Sequence, residues 1–267
     1  MENDLEFLEK NGFSISPQGV NLSGVALELY NSFIINISNI LKPYYNERLK
    51  ASSLIQRETL EKTGYIDNFP QNLIGFDRKL GKLKDHFLTP ASCFHVYPKL
   101  DNTTIDKAGF WVLSTCGRYE GGKWKYPFRL CSFNMLEVVI FGSEEYIEKV
   151  RKNVTNLFRN FFSKIGLEGN FFMATDAFYL NGNKGAKILQ KIKELKKEYR
   201  VEVDGEEIAL MSINKHEKYF SNRFNIKLSS KESADSMCIA FGLERLVAIG
   251  LIKWGNKDKW PRELIFK

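Results

Sequence analysis

Charged and sulfur-bearing side chains interrupt several apolar runs of this chain, and each interruption is a place where chemistry could reside. Glu137 sits inside Met135-Leu-Glu-Val-Val-Ile, and an unpaired carboxylate taken out of water is costly. It either turns outward, pairs with a cation or serves a site. Arg118 and Glu120 bracket Tyr119 at the end of an apolar run, where strand alternation sends both to one face. Glu244 and Arg245 break an otherwise apolar stretch. A fixed guanidinium there is half of a structural ion pair or a clamp for phosphate. Asp176, in Ala174-Thr-Asp-Ala-Phe, and Asn214 with His216, in Ser212-Ile-Asn-Lys-His, are further polar groups beside apolar runs. His216 equally suits a hydrogen-bonded core position. Four cysteines in 267 residues are too few for a disulfide scaffold, which leaves metal binding, thiol chemistry and plain core packing.

The elements that must position these groups can be read from periodicity. Leu27, Tyr30, Phe33, Ile34 and Ile37, and then Ile147, Val150, Val154, Leu157, Phe158, Phe161 and Ile165, recur at helical spacing. Between and beyond these helices lie strand-type runs at 109–115, 131–141 and 207–214, the first two joined by a Gly-, Lys- and Pro-bearing connector at 118–128. Residues 236–251 read as a buried helix opening with small residues, and 184–200 as a helix with a lysine-rich outer face. Strand runs flanked by helices, without strict βαβ alternation, predict an α+β fold built on an antiparallel sheet. No linker divides the chain, so 1–267 is expected to form a single domain.

Composition supports a packed, non-repetitive protein, with 43% hydrophobic and 13% aromatic residues and neither a collagen-like nor a solenoid period. The acidic start lacks a secretory signal, and no uninterrupted apolar stretch is long enough for a membrane span, so a cytoplasmic location is expected. The net charge of +7 favours acidic partners, and 184–200 alone, with seven Lys/Arg against two Glu, contributes +5 of it.

Taken in order, the segments from about Glu47 to Leu251 resemble class II aminoacyl-tRNA synthetases. Ser236-Met-Cys-Ile-Ala-Phe-Gly-Leu-Glu-Arg is similar to their motif 3, and Cys116-Gly-Arg-Tyr-Glu, a loop, and then Arg129 to Glu137 to their motif 2. Gly117 stands where the family usually carries Phe, and Tyr65-Ile-Asp-Asn-Phe-Pro resembles the region after a degenerate motif 1. Within the class, Leu88-Thr-Pro-Ala-Ser-Cys-Phe-His-Val-Tyr-Pro, Ala174-Thr-Asp-Ala-Phe-Tyr, Ser212-Ile-Asn-Lys-His-Glu-Lys-Tyr-Phe and Asp235-Ser-Met-Cys-Ile-Ala-Phe-Gly-Leu-Glu-Arg resemble the amino acid:[carrier protein] ligases. These are truncated relatives of the zinc-dependent seryl-tRNA synthetase of methanogens.

The resemblance implies a class II catalytic domain without an appended tRNA-binding domain. It would activate a small amino acid, glycine or alanine, with ATP and Mg²⁺ to an aminoacyl-adenylate, then transfer it to the phosphopantetheine thiol of a carrier protein. It implies Zn²⁺ on Cys93, Glu137 and Cys238, a set without the local Cys-x-x-Cys pairs that spacing alone could identify. For ATP it implies Arg118 at the α-phosphate, Glu120 on the adenine or metal side, Phe133 stacking on the base and Arg245 at the γ-phosphate. Arg129 and Glu232 join the nucleotide residues, and Asp176, Asn214 and His216 the substrate residues. Cys116 and Cys131 are read as strand cysteines without a role. An acidic carrier would dock at Lys187, Lys191 and Lys197, and a homodimer is expected from the class. A non-catalytic paralogue acting as a binding or regulatory module, and a tRNA-acylating enzyme, are the other readings.

Overall fold

The computed structural model describes residues 2–16, 19–76, 78–174 and 195–265. Its opening elements are α1 (Glu2–Lys10), the hairpin β1 (Phe13–Ser16) and β2 (Gly19–Leu22), and the long helix α2 (Gly24–Leu41). There follow β3 (Glu47–Lys50), β4 (Leu54–Gln56), α3 (Arg57–Lys62), α4 (Tyr65–Asn68), β5 (His86–Leu88) and β6 (Thr104–Ile105). Next come β7 (Ala108–Gly117), β8 (Ser132–Gly142), α5 (Glu144–Lys164) and β9 (Gly169–Met173). Last are β10 (Lys196–Val203), β11 (Glu206–Glu217), α6 (Tyr219–Arg223), β12 (Lys227–Leu228), β13 (Asp235–Gly242) and α7 (Leu243–Trp254). Among the described residues, no helix is long and apolar enough to cross a membrane.

Seven strands form one sheet in the order β3-β7-β8-β13-β11-β10-β9, antiparallel except for the parallel edge pair β3–β7. This is the α+β architecture expected from the sequence. Alternation divides each strand between two environments. Leu136, Val138 and Ile140 of β8, with Met237, Ile239 and Phe241 of β13, face a layer made by α2, α5 and α7. Leu29, Phe33 and Ile37 come from α2, and Val154, Phe158 and Phe162 from α5. The latter helix is well started: the Ser143 hydroxyl accepts from the Tyr146 N–H, and Glu144 and Glu145 lie in the first turn. On the opposite face a second core, including Phe94, Tyr97, Phe220 and Phe224, covers the β7–β8–β13 portion. The remaining floor is open and forms a cleft.

Two expectations require correction. Residues 235–242 are a strand, and the helix begins only at Leu243. β13 is central and buried, so after Asp235 and Ser236 its sequence, Met237 to Phe241, is an apolar run with no period of two to tell it from a buried helix. Lys197 likewise lies in strand β10, not on a helix. Leu195 and Tyr199, four apart, satisfy one helix face and one strand face equally. Residues 184–194, including Lys187 and Lys191, lie outside the described residues.

Gly117, the departure from the motif, has a steric reason. A Cβ at this position would lie 2.7 Å from Leu88 Cδ1 and 3.0 Å from Leu88 Cβ, and the latter cannot swing aside by a rotamer change. Gly117→Ala is expected to cost about 1–3 kcal/mol by overpacking. Urea unfolding checks this, and an unchanged midpoint would show that β5 moves freely.

Candidate active-site cleft

The cleft, about 600 Å³, is floored by β8, β13, β11 and β10. Phe133, Met135 and Glu137 of β8, Ala240 and Gly242 of β13, Ser212 and Asn214 of β11, and Lys196, Glu198 and Arg200 of β10 all line it. In β8, β13 and β10 these are alternate residues, as a pleated floor requires, whereas β11 borders the cleft continuously over Glu206–Ser212 as well.

At its deep end Glu137 is 1% exposed, which removes the outward orientation that alternation had left open. The ligand atoms of Cys93, Glu137 and Cys238 all lie within 4.8 Å of one another. Cys238 stands beside Val139 of β8 and Asn214 of β11, two register steps from the Ala240–Glu137 pair and so on the same face. Cys93 arrives from above on a 3-10 turn, Ser92–His95. The turn is tied down because the Ser92 hydroxyl donates to the Met135 carbonyl (2.8 Å) and the Cys93 N–H to Glu137 Oε1 (3.2 Å).

Three acidic groups share this small buried volume. Contact with Cys238 and burial push the Cys93 thiol well up, and burial pushes the Glu137 carboxyl up, partly offset by the Cys93 N–H and Arg118. Asn214 Nδ2 donates to Cys238 Sγ at 3.3 Å, a contact that favours thiolate. Two thiols and a carboxylate at this separation form a donor set suited to zinc, whose bonds to sulfur are about 2.3 Å and to carboxylate oxygen about 2.0–2.2 Å. The residues therefore fit a divalent ion.

Two arginines enter the cleft nearer its mouth. Arg118 Nε donates to the Pro90 carbonyl (2.7 Å), its Nη2 lies 3.6 Å from Met135 Sδ, and the guanidinium sits 5.4 Å from the centre of the Phe133 ring. Burial opposes its charge, but Tyr65, Cys116, Glu120 and Glu137 together hold its pKa above the usual value. Arg245 Nε and Nη1 donate to the carbonyls of Phe128 and Ala209 at 2.9 and 2.8 Å. Burial lowers its pKa, with Arg118 and Arg129 adding repulsion and Glu198 opposing it, and a guanidinium remains charged throughout. Glu244 does not pair with it, binding Asn134 instead. Arg245 is thus fixed by backbone carbonyls and is not half of an ion pair with its neighbour. Glu120, three residues past β7 at the start of a 3-10 turn, has a positive φ, and its carboxylate meets Arg129 at 3.2 Å, both lining the cleft.

Glu232 is not at this site. Its exposed carboxylate lies 3.9 Å from Lys218, and it precedes β13 at Asp235, the opposite end from Gly242, which reaches the cleft. Asp176 lies outside the described residues. Asn214 does line the cleft, whereas His216, two residues along β11, is fully buried in the second core. The hydroxyls of Tyr97 and Ser236 lie 3.1 and 3.3 Å from its Nδ1, and the Phe220 ring is edge-on at 5.0 Å. His216 is a core histidine, hydrogen-bonded through Nδ1 and away from the cleft.

Burial pushes the His216 pKa down to about 3. The unfolded chain therefore takes up the proton first, and the associated stability, fully present above pH ~6.5, is lost as pH falls towards the folded value. Relative to His216→Asn, the wild type should lose about 2 kcal/mol by pH ~5 in urea titrations. A difference independent of pH would contradict this.

Cys116 is buried in β7, 3.6 Å from the Ser92 hydroxyl, and burial pushes its thiol up to about 12. Half-buried Cys131 immediately precedes β8, and its carbonyl accepts the Arg118 N–H. Sequence reasoning singled out Glu244 without assigning it to the site, and missed the cleft-lining set Lys196, Glu198 and Arg200, in which Glu198 bridges both bases at 2.9 and 2.8 Å. Their alternation with buried Tyr199 and Val201 was the available signal.

Residues 84–253 match the family model of the class II core domain of tRNA synthetases for Gly, His, Pro, Ser and Thr. Amino acid--[acyl-carrier-protein] ligase 1 of Bradyrhizobium diazoefficiens is 27% identical, covering 88% of this chain and 81% of the relative. A type-2 serine--tRNA ligase of Methanococcus maripaludis is 31% identical over 68% of this chain but only 37% of its own length. In fold, the chain is similar to M. kandleri SerRS crystallised with A. aeolicus tRNASec, with a TM-score of 0.79 and 20% identity. That match covers 98% of this chain and 59% of the synthetase.

Proposed function

Because this chain belongs to the family of class II tRNA-synthetase core domains, we propose that it is an ATP-dependent ligase. In this reading a carboxylate oxygen of an amino acid attacks the α-phosphorus of ATP. The bond from that phosphorus to the bridging oxygen breaks, and an aminoacyl-adenylate and pyrophosphate form. The sulfur of a carrier-protein thiol, its proton lost, then attacks the aminoacyl carbonyl carbon; the bond from that carbon to the adenylate phosphate oxygen breaks, AMP leaves and a thioester forms. The relatives named amino acid--[acyl-carrier-protein] ligases support this acceptor.

The observation that carries the reading is the convergence of Arg118 and Arg245 on a cleft ending at the buried group of Cys93, Glu137 and Cys238. Catalysis of phosphoryl transfer is chiefly positioning and charge neutralisation. Arg118, held by the Pro90 carbonyl and lying beside Phe133, would bind the α-phosphate while the base stacks on that ring. Arg245, anchored by two carbonyls, would neutralise the far end of the triphosphate, where the departing pyrophosphate gathers charge. Glu120 would face the adenine or the Mg²⁺ that accompanies the nucleotide, with Arg129 oriented by their ion pair.

Cys93, Glu137 and Cys238 would hold zinc, which would supply a Lewis-acid position that selects a free amine. Asn214 would line the amino-acid end, where a small amino acid, glycine or alanine, would bind. A cytoplasmic homodimer completes the reading. The acceptor is tested by incubating the protein with ATP, labelled glycine or alanine, and, separately, holo-carrier, apo-carrier and tRNA. Label on the holo-carrier alone is the expected result. Label on tRNA, with the steep salt dependence of nucleic-acid binding, would replace the carrier by tRNA as acceptor.

A further inference from the structure

Glu244 is 3% exposed and lines the cleft, yet among the described residues its carboxylate meets no base. Both oxygens accept from one residue, Oε2 from the Asn134 N–H (2.8 Å) and Oε1 from Asn134 Nδ2 (2.6 Å). Asn134 Oδ1 in turn accepts from the Thr115 hydroxyl at 2.9 Å, across the β7–β8 pair in which these two residues are register partners. A polar line thus runs from β7 through β8 to the first turn of α7. A buried carboxylate without a cation adds little stability, so its retention asks for a geometric reason.

The neighbours of this line supply one. Asn134 lies between Phe133, over which the Arg118 guanidinium sits, and Met135, whose sulfur meets Arg118 Nη2. Glu244 directly precedes Arg245. We propose that Glu244 is a positioning residue of the nucleotide subsite: through Asn134 it locks β8, whose Phe133 and Met135 seat the Arg118 guanidinium, to the helical turn carrying Arg245, fixing the spacing of the two arginines. This rests on the reading that the cleft takes ATP. The amino-acid end, held by the turn bearing Cys93, is anchored separately through Ser92 and Glu137.

The test compares Glu244→Gln, Asn134→Ala, their double variant and the milder Thr115→Val, with ATP and amino-acid KM from pyrophosphate exchange and ATP affinity from calorimetry. Glu244→Gln is expected to raise the KM for ATP about tenfold or more while the amino-acid KM moves less than about threefold. The double variant should be no worse than the worse single variant, because both cut one connection. Thr115→Val should shift ATP affinity in the same direction by less. Additive effects, equal rises in both KM values, or unchanged ATP affinity in folded protein would overturn the proposal. If Glu244→Gln fails to fold, Asn134→Ala and Thr115→Val decide, and normal ATP affinity in both would overturn it. Absence of exchange in the wild type would remove the proposed reaction while calorimetry still judged the positioning role. A wild type that binds no ATP would overturn both.

Discussion

Arg118→Ala is expected to lower amino-acid-dependent pyrophosphate exchange by about 10²–10³, the loss that follows removal of one preorganised donor from a developing charge. The guanidinium is already aimed, because Pro90 takes Nε, Met135 flanks Nη2 and the ring of Phe133 lies beneath. Arg118→Lys should recover little, since a point ammonium cannot hold the Pro90 carbonyl and reach a phosphate with a planar fork. The stability cost of losing the Pro90 contact should stay near 1–2 kcal/mol, so the variant remains folded. Exchange kinetics with a parallel thermal melt check both parts. Near-normal exchange in Arg118→Ala would move the α-phosphate away from this residue.

Cys93→Ser and Cys238→Ser should each remove metal and activation together. Both thiols are fully buried, and their sulfurs and the Glu137 carboxylate lie within 4.8 Å. A serine hydroxyl is a far poorer ligand than thiolate, and neither change adds volume that would disturb the core. Metal analysis of purified variants is expected to fall from about one zinc per chain to near none, with exchange falling in parallel. Glu137→Ala should weaken both, and it frees the Cys93 N–H that the carboxylate now accepts. A Cys238→Ser protein with stoichiometric zinc would refute the ligand set.

Much of this was legible in the sequence, for identifiable reasons. Helices α2 and α5 carry their apolar residues at one period over many turns, and β7 and β8 are joined by a connector of turn composition, so all four were readable. The strand at 235–242 was not, because full burial erases the alternation that marks a half-buried strand. Lys196–Val203 failed differently, since Leu195 and Tyr199 fit the helical spacing of the residues before them while the alternation of Tyr199, Val201 and Val203 went unread. At the site, Arg118, Glu120, Arg129, Phe133, Glu137, Asn214 and Arg245 all line one cleft, with Cys93 and Cys238 meeting Glu137 at its end. No local spacing could have joined Cys93 to Cys238; sheet register and the turn over it do that. Glu232 failed because proximity in sequence to β13 does not say which end of the strand faces the cleft. His216 shares a strand with Asn214 but lies beyond the covered edge of the floor, where the site gives way to core.

Amino-acid-dependent ATP–pyrophosphate exchange on metal-analysed wild-type protein, run across the proteinogenic amino acids before and after chelation, is the measurement to make. Exchange with glycine or alanine, lost on zinc removal and restored by zinc, is the expected result. Zinc-replete, folded protein that exchanges with no amino acid would contradict it and leave a binding module built on the same cleft.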